Sequence, residues 1–318
     1  MISREEFTTA CNSVIPEEEI EKFKKCRKNV WLWILILFAG LTVGILIAVY
    51  AEIFTGIGIS ILSTIFGIVY SVRSRYRWDD FKGKYGKKVI KKLLQGYTHK
   101  YTHNYWIGSW ILNACGFVDT SYDSCGGEDL LTINIPNNDG TPSDVKLNIC
   151  DAWATRTDYY TVTKTDSNGN TYTETESDTV TLYDGAIGYI HFPFNFKCDL
   201  CINTDLTNTH RLRTEDIAFD KKLKAYTNND VEALCILTPT LMQKLKAYES
   251  RHSRLKLALY EDGSLYFGMS GNLFKLTSKR GGPNGKVFAR FYNDIYEILA
   301  IVTEVQNNDK VFNIPNKD

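Results

Sequence analysis

GLTVGILIAVYAEIFTGIGISILST, residues 40–64, is apolar almost throughout, with one carboxylate, Glu52, near its middle. Residues 30–50 carry no charged side chain, and neither do residues 53–72. Each run holds about 20 residues, and a helix rising ~1.5 Å per residue then covers roughly 30 Å, the thickness of a bilayer's hydrocarbon core. A carboxylate at mid-bilayer costs at least a few kcal/mol, whereas one in the turn between two antiparallel spans stays hydrated. Glu52 therefore reads as the outer turn of a transmembrane helical hairpin with spans at 30–50 and 53–72. The competing placement, an intramembrane Glu that serves ions or protons, would hold residues 51–53 at mid-depth and leave no room for two full spans.

Small residues recur every fourth position on both runs: Gly40, Gly44 and Ala48 on the first, Gly56, Ser60 and Thr64 on the second. Folding the chain at Glu52 sets Ala48 beside Gly56, Gly44 beside Ser60 and Gly40 beside Thr64, so the two helices can approach closely. The same faces would also serve self-association between chains.

The flanks give the orientation. Lys22, Lys24, Lys25, Arg27 and Lys28 precede the first run, and Arg73, Arg75, Arg77, Lys87, Lys88, Lys91 and Lys92 follow the second. The positive-inside rule then places both termini in the cytoplasm, and the basic stretch 73–105 reads as a juxtamembrane helix whose cations meet anionic lipid headgroups or water. The apolar run starts too late, and is too long, for a cleaved signal peptide. Pro16 and the acidic residues after it open a helix that leads into the first span, so residues 1–29 are expected to form a cytoplasmic N-terminal helix.

Lys+Arg and Asp+Glu balance at 37 each, which gives no support for nucleic-acid binding beyond the juxtamembrane lysines. Eight cysteines lie scattered without the spacing of a disulfide framework, as expected of reduced thiols on the cytoplasmic side.

Residues 106–318 read as a cytoplasmic α+β domain with mainly antiparallel strands. LLTINI and DVKLNICDAWA alternate as strands do. In YYTVTKTDSNGNTYTETESDTVTLY, Asn168-Gly169 has the chemistry of a two-residue hairpin turn, which sets Thr163 opposite Glu174 and Thr161 opposite Glu176. Both faces of that hairpin are polar, so it is expected to project into solvent at about 157–182, with Glu174, Glu176 and Asp178 as an acidic row. GAIGYIHFPFNF and IAFDKKLKAYT read as further strands, and NNDVEAL as a helix start. Thr238 and Pro239 supply an N-cap and a first-turn proline for a helix over 239–251. LKLALYEDGSLYFGM is a hairpin turning at Asp262-Gly263, and ARFYNDIYEILAIVTEV has helical spacing.

The stretch FDKKLKAYTNNDVEALCILTPTLMQKLKAYESRHSRLKLALYEDGSLYFGM, residues 219–269, resembles the most recognisable block of the bacterial domain-of-unknown-function family 3137. GGEDLLTI, DGAIGYIHFPFNF and GNLFKL resemble further pieces of that family in the same order, and where its pattern has Glu after the second strand this chain has Asp151. The resemblance implies a two-span protein of the bacterial cytoplasmic membrane with a cytoplasmic domain, no transferable activity, and LemA-type membrane proteins as partners to consider.

Chemistry-bearing patterns are sparse. Cys198-Asp-Leu-Cys201 has the spacing of half a zinc site or of a redox pair; His99 with His103, four apart on one helix face, would complete a zinc site, Cys115 and Cys125 would do so equally, and two core cysteines are the plainer alternative. GGPNGKV, residues 281–287, is one residue short of a phosphate loop and lacks its Ser or Thr. Glu128 and Asp129, with Asp151, offer carboxylates for metal or acid/base work. No cofactor is expected. The leading expectation is a membrane-anchored, non-enzymatic module that binds a protein partner or lipid. The alternatives are an oligomeric pore or transport component gated by the domain, and a metal-dependent enzyme whose carboxylates converge in one pocket.

Overall fold

The computed structural model describes residues 3–50, 53–114, 116–118, 121–137, 141, 143–167, 169–204, 208–252, 254–276 and 284–308; the side chains of residues 12–14, 22–31, 33, 56 and 71–81 lie outside that description. Glu52, the expected outer turn, Asn168 of the expected hairpin turn, and the 281–283 part of the phosphate-loop-like segment fall outside it as well. The chain divides into two compact units, Met1–Gln95 with Lys275–Tyr292, and Gly96–Phe274 with Asn293–Asp318.

The first unit is helical. α1 (Arg4–Val14) opens on a capping box in which Ser3 Oγ accepts from the Glu6 amide at 3.2 Å while the Ser3 amide donates to Glu6 Oε2 at 2.9 Å. Phe7, Cys11 and Ile15 recur at four-residue spacing and are buried, as are Val89, Ile90, Leu93 and Leu94 at the end of α3. α2 (Glu17–Tyr50) and α3 (Ile53–Leu93) are each continuous, so the apolar runs are portions of longer helices. They pack on one another, and a Cβ added at Gly40 would collide with the Ser63 side chain, one position from the Thr64 expected there. Their other faces are bare: Leu35 is 65% exposed, Val49 69% and Phe54 84%.

Among the described residues one helix, Ile53–Tyr70, is long and apolar enough to cross a membrane, and Ile34–Tyr50 is a shorter apolar stretch. Two full spans, as expected from the sequence, are therefore reduced here to one candidate; the start of the first run lies on residues whose side chains are not described.

The second unit is a nine-stranded sheet, in spatial order β1-β2-β3-β4-β9-β8-β5-β7-β6. Its strands are β1 (His99–Thr102), β2 (Ser124–Asn134), β3 (Lys146–Thr165), β4 (Thr171–His191), β5 (Leu200–Ile202), β6 (His210–Arg211), β7 (Ala225–Thr227), β8 (Lys256–Leu259) and β9 (Ser264–Ser270). Every pairing between these strands is antiparallel. The helices are α4 (Trp110–Ala114), α5 (Ile217–Lys222), α6 (Asp230–Ile236), α7 (Pro239–Arg251) and α8 (Gly285–Asn307), the last contributing to this unit from Asn293 on. The α+β class with antiparallel strands read from the sequence is the class found.

Strand alternation assigns two cores. Cys150, Ala152, Ala154, Ile187, Cys201 and Ala258 point to one face and pack with Ile111 and Leu112 of α4, while Ile149, Leu257, Leu265, Phe267 and Met269 point to the other. On that second side α7 buries Leu241, Met242, Leu245 and Tyr248, and the Tyr248 hydroxyl meets the Met269 sulfur. Thr238 Oγ1 accepts from the Leu241 amide at 3.1 Å with Pro239 at the first position, the cap and proline the sequence advertised. α7 and α8 are tied by Lys244 to Glu304 at 2.6 Å, His252 to Asp294 at 2.9 Å, and an Arg251–Glu297 ion pair.

Three local expectations are corrected. IAFDKKLKAYT is a short helix and then a strand, because Asp216 caps α5 by accepting from the Phe219 amide at 2.9 Å and Phe219 turns into the core. His99 and His103 do not share a helix: Gly96, at φ 97°, stands just past the end of α3, and the chain continues as β1. Four residues of strand at ~3.3 Å each hold the two rings' attachment points roughly 13 Å apart, too far for one ion. The β3–β4 register is one residue off the expected one, with Val162 opposite Glu174 and Tyr160 opposite Glu176. The loop is longer than two residues: Asp166 Oδ1 accepts from the Asn170 amide at 2.8 Å, and the strands resume at Thr165 and Thr171. Lys164 consequently lies on the acidic face, 2.7 Å from Glu174 and 2.6 Å from Glu176, so the expected acidic row is partly neutralised.

Candidate functional site

The chemistry in the second unit gathers where β1 and β2 leave regular pairing. Glu128 pairs with Asp151 and Leu131 with Ile149, so Asp129 and Leu130 together stand opposite Cys150 alone: a β-bulge. Asp129 takes φ 67°, a left-handed conformation that costs a non-glycine residue free energy and that Asp tolerates better than most. The chain after β1 follows the bulge, with the Asp129 amide donating to His103 O at 2.6 Å and the Leu130 amide to Tyr105 O at 2.9 Å. Adjacent residues in a regular strand point to opposite faces; the bulge removes that constraint between Glu128 and Asp129.

The result is a compact constellation. Tyr101 donates its hydroxyl to Asp129 Oδ1 at 2.5 Å, and His103 Nδ1 lies 2.6 Å from the same oxygen. Asp129 is wholly buried, and the His103 side chain is 10% exposed. His103 Nε2, on the other side of the ring, is buried without a hydrogen-bond partner among the described residues. One ligand atom each from His103, Glu128 and Asp129 lies within 4.8 Å of the others.

The surroundings hold this geometry. Asp151, also buried, accepts from the amides of Leu273 at 2.8 Å and Phe274 at 3.1 Å, and the Phe274 ring stacks on Tyr101 at 6.0 Å. The Tyr101 hydroxyl is pushed well above the usual phenol range, first by burial and then by the negative charge of Asp129, Glu128 and Asp151, so it stays a donor. Gly127 is required by close approach: a Cβ there would fall 2.6 Å from Asp151 O and 2.8 Å from the Trp106 Cβ.

The sequence-derived candidates are distributed as follows. His103 is in the constellation and His99 is not; its Nδ1 lies 2.9 Å from Tyr97 O. Cys201 belongs to the β5 core, and Cys198 is buried beside Thr227, its thiol pushed up to about 11, mainly by burial. Neither joins a metal-reaching group with His99 or His103 among the described residues. Glu128 and Asp129 converge with His103, while Asp151 serves backbone amides. Lys87, Lys88, Lys91 and Lys92 are exposed along the end of α3; Arg73, Arg75 and Arg77 are helical with side chains outside the description. Gly44 is buried, and Ala48, Ser60 and Thr64 are half-buried along α2 and α3.

Residues 181–307 match the family described as Protein of unknown function (DUF3137). Those residues are similar to that family. The DUF3137 match covers the end of β4 and nearly everything through α8, including the 219–269 block that carried the resemblance. His103, Glu128 and Asp129 precede it, so the constellation lies outside the matched DUF3137 residues. No curated protein and no solved structure matches the chain.

Proposed function

We propose that the chain is a membrane-anchored interaction module: α2 and α3 form a hairpin in the bacterial cytoplasmic membrane, both termini are cytoplasmic, and the sheet domain is held beneath the bilayer for a protein partner. The observation that carries this reading is the apolar helix Ile53–Tyr70, none of whose described side chains is buried inside the protein. A core helix of a water-soluble protein would bury one face, and leaving Phe54, Ile61, Leu62 and Phe66 in water would be costly, whereas acyl chains cover them at no such cost. α3 then runs on into the exposed Lys87, Lys88, Lys91 and Lys92, whose placement suits an anionic inner leaflet.

The test uses the full chain in native membranes. Alkaline carbonate extraction should leave it in the membrane pellet, and crosslinking followed by mass spectrometry should capture a partner that a variant truncated to its first 95 residues fails to capture. Release by carbonate would sink the anchor. Capture of nothing beyond other copies of the chain would move the reading to an oligomeric assembly of the spans.

A further inference from the structure

We propose that the outer edge of β3 in the projecting hairpin pairs, antiparallel and about a two-fold axis at Thr161, with the same edge of a second copy of the chain. This interface goes beyond the membrane reading and does not depend on it.

The edge is long and open. β2 accompanies β3 only as far as Thr155, and β9 joins β4 only from Ala186 on, so between the pairs Arg156–Val180 and Thr165–Thr171 the hairpin has no third strand among the described residues. Its backbone direction is fixed by the last contacts before that stretch: Thr155 O accepts from the Asp123 amide at 3.0 Å, and the Thr157 amide donates to Asp123 Oδ2 at 2.6 Å. Odd-numbered residues of β3 therefore turn both N–H and C=O to this edge, where Tyr159, Thr161 and Thr163 meet no strand, while even-numbered ones bond to β4. TDYYTVTKT, residues 157–165, is rich in Thr, Tyr and Val and keeps a regular register, without the bulge or proline that blunts an edge. Tyr159 and Tyr160 are exposed. A two-stranded ribbon is marginal in water, and a second hairpin beside it supplies the further strands it lacks.

Charge selects the occupant and the register. With the axis at Thr161, the two copies exchange both backbone hydrogen bonds at that residue and again between Tyr159 and Thr163. On the acidic face Asp158 then stands opposite Lys164 of the second copy and Tyr160 opposite its Val162, an opposite-charge pair and an aromatic–β-branched pair, each made twice. Moving the axis by one residue spoils this: at Tyr160 it sets Arg156 against Lys164, and at Val162 it sets Asp158 against Asp166. The outer edge of β4 offers no such register, because Glu174, Glu176 and Asp178 share a face and a two-fold axis among them opposes carboxylates. Within one chain Asp158 already stands opposite Asp178, with Arg156 2.6 Å from Asp158. Lys164 of the second copy brings a further cation to these two carboxylates.

The experiment is oxidative crosslinking of the full-length protein in detergent, with the exposed Cys235 replaced by serine. Opposed Cα atoms of a hydrogen-bonded pair lie ~5.5 Å apart, within disulfide reach. Thr161→Cys should therefore give a disulfide-linked dimer on mild oxidation, well above Thr175→Cys, which stands opposite Thr161 on β4. In the Thr161→Cys chain, adding Asp158→Lys should cut the linked fraction about fivefold or more, since it sets cation against cation at two places. An equal mixture with Thr161→Cys chains that carry Lys164→Asp should restore it, because each chain then meets the charge it lacks. Thr163→Pro loses an N–H that faces outward and leaves the bonds to β4 intact, and should cut linking to the Thr175→Cys level. Linking at Thr161→Cys no greater than at Thr175→Cys, linking indifferent to either Asp158→Lys or Thr163→Pro, or a mixture no better than Asp158→Lys alone would each overturn the proposal.

Discussion

His103 Nδ1 sits 2.6 Å from Oδ1 of Asp129, a buried residue whose backbone stands at φ 67° in the bulge of β2. The strained backbone and the short hydrogen bonds support each other: the left-handed turn aims the carboxylate, and Tyr101 and His103 hold it there. Asp129→Asn keeps a residue that tolerates positive φ and still accepts hydrogen bonds, whereas Asp129→Ala loses both. We expect Asp129→Ala to cost ~2–4 kcal/mol and Asp129→Asn about half of that, from the lost charge-assisted hydrogen bonds and the αL preference. Thermal unfolding followed by tryptophan fluorescence would reverse the interpretation if the two variants were equally stable.

Asp151 reaches across 122 residues of sequence to the Leu273 amide and on to that of Phe274. Replacing it by Asn keeps one acceptor and turns an NH2 group toward the other amide, leaving a buried donor unsatisfied. The expected loss is ~1–3 kcal/mol, with the 271–276 segment exchanging amide hydrogen faster than the rest of the sheet. Unchanged exchange at Leu273 and Phe274 would show that other contacts hold that segment.

Gly40 lies against Ser63 where α2 and α3 pack. Gly40→Leu should force the helices apart at a cost of ~1–3 kcal/mol, readable as weaker crosslinking between cysteines introduced at the facing positions Leu37 and Gly67. Crosslinking as efficient as in the parent would mean that the helices are held together elsewhere.

Ile61 faces outward in the middle of the helix Ile53–Tyr70. An arginine placed there costs ~2.5–3.5 kcal/mol if the residue sits at the centre of a bilayer and almost nothing if it sits in water. Ile61→Arg should therefore lower the carbonate-resistant fraction of the protein. An undiminished fraction would argue against insertion of this helix.

Burial holds three thiols protonated: Cys11 and Cys150 are each pushed up to about 12 and Cys198 to about 11, from an ordinary 9.0. A folded-state pKa above the unfolded one stabilises the fold fully below the unfolded value, and this contribution is lost as pH rises through the folded value. Stability should fall progressively between about pH 9 and pH 12, while at pH 8 exposed Cys235 should react with iodoacetamide long before Cys150. A melting temperature unchanged from pH 8 to pH 11 would contradict this.

Much of the fold was legible because its signals are local. A helix over Pro239–Arg251 follows from Thr238, Pro239 and the spacing of Leu241, Met242, Leu245 and Tyr248, and the 256–270 hairpin from Gly263, which takes φ 83°. IAFDKKLKAYT failed because its apolar alternation is equally compatible with a strand, and the deciding hydrogen bond from the Phe219 amide to Asp216 leaves no periodic trace. The hairpin register failed because Asp166 closes a longer loop than the Asn-Gly pair advertises, and a one-residue change in loop length moves every pair beyond it.

The candidate site was half visible. Glu128 and Asp129 stood out as carboxylates beside two glycines, and His103 as one of two histidines, but the pairing of His103 with His99 rested on a helix that is a strand. What the sequence determined by itself was composition and short-range order: an apolar helix of membrane length, capped helices, alternating strands, and an α+β class. Only the tertiary structure decided that His103 meets Asp129 across 26 residues, that Asp151 is occupied by backbone amides, and that Cys198 and Cys201 stay in the core. Caps and periodicities act over three or four residues and are written in neighbouring side chains. A bulge and a strand register are set by the packing of the whole sheet, and these bring an imidazole and two carboxylates to one point.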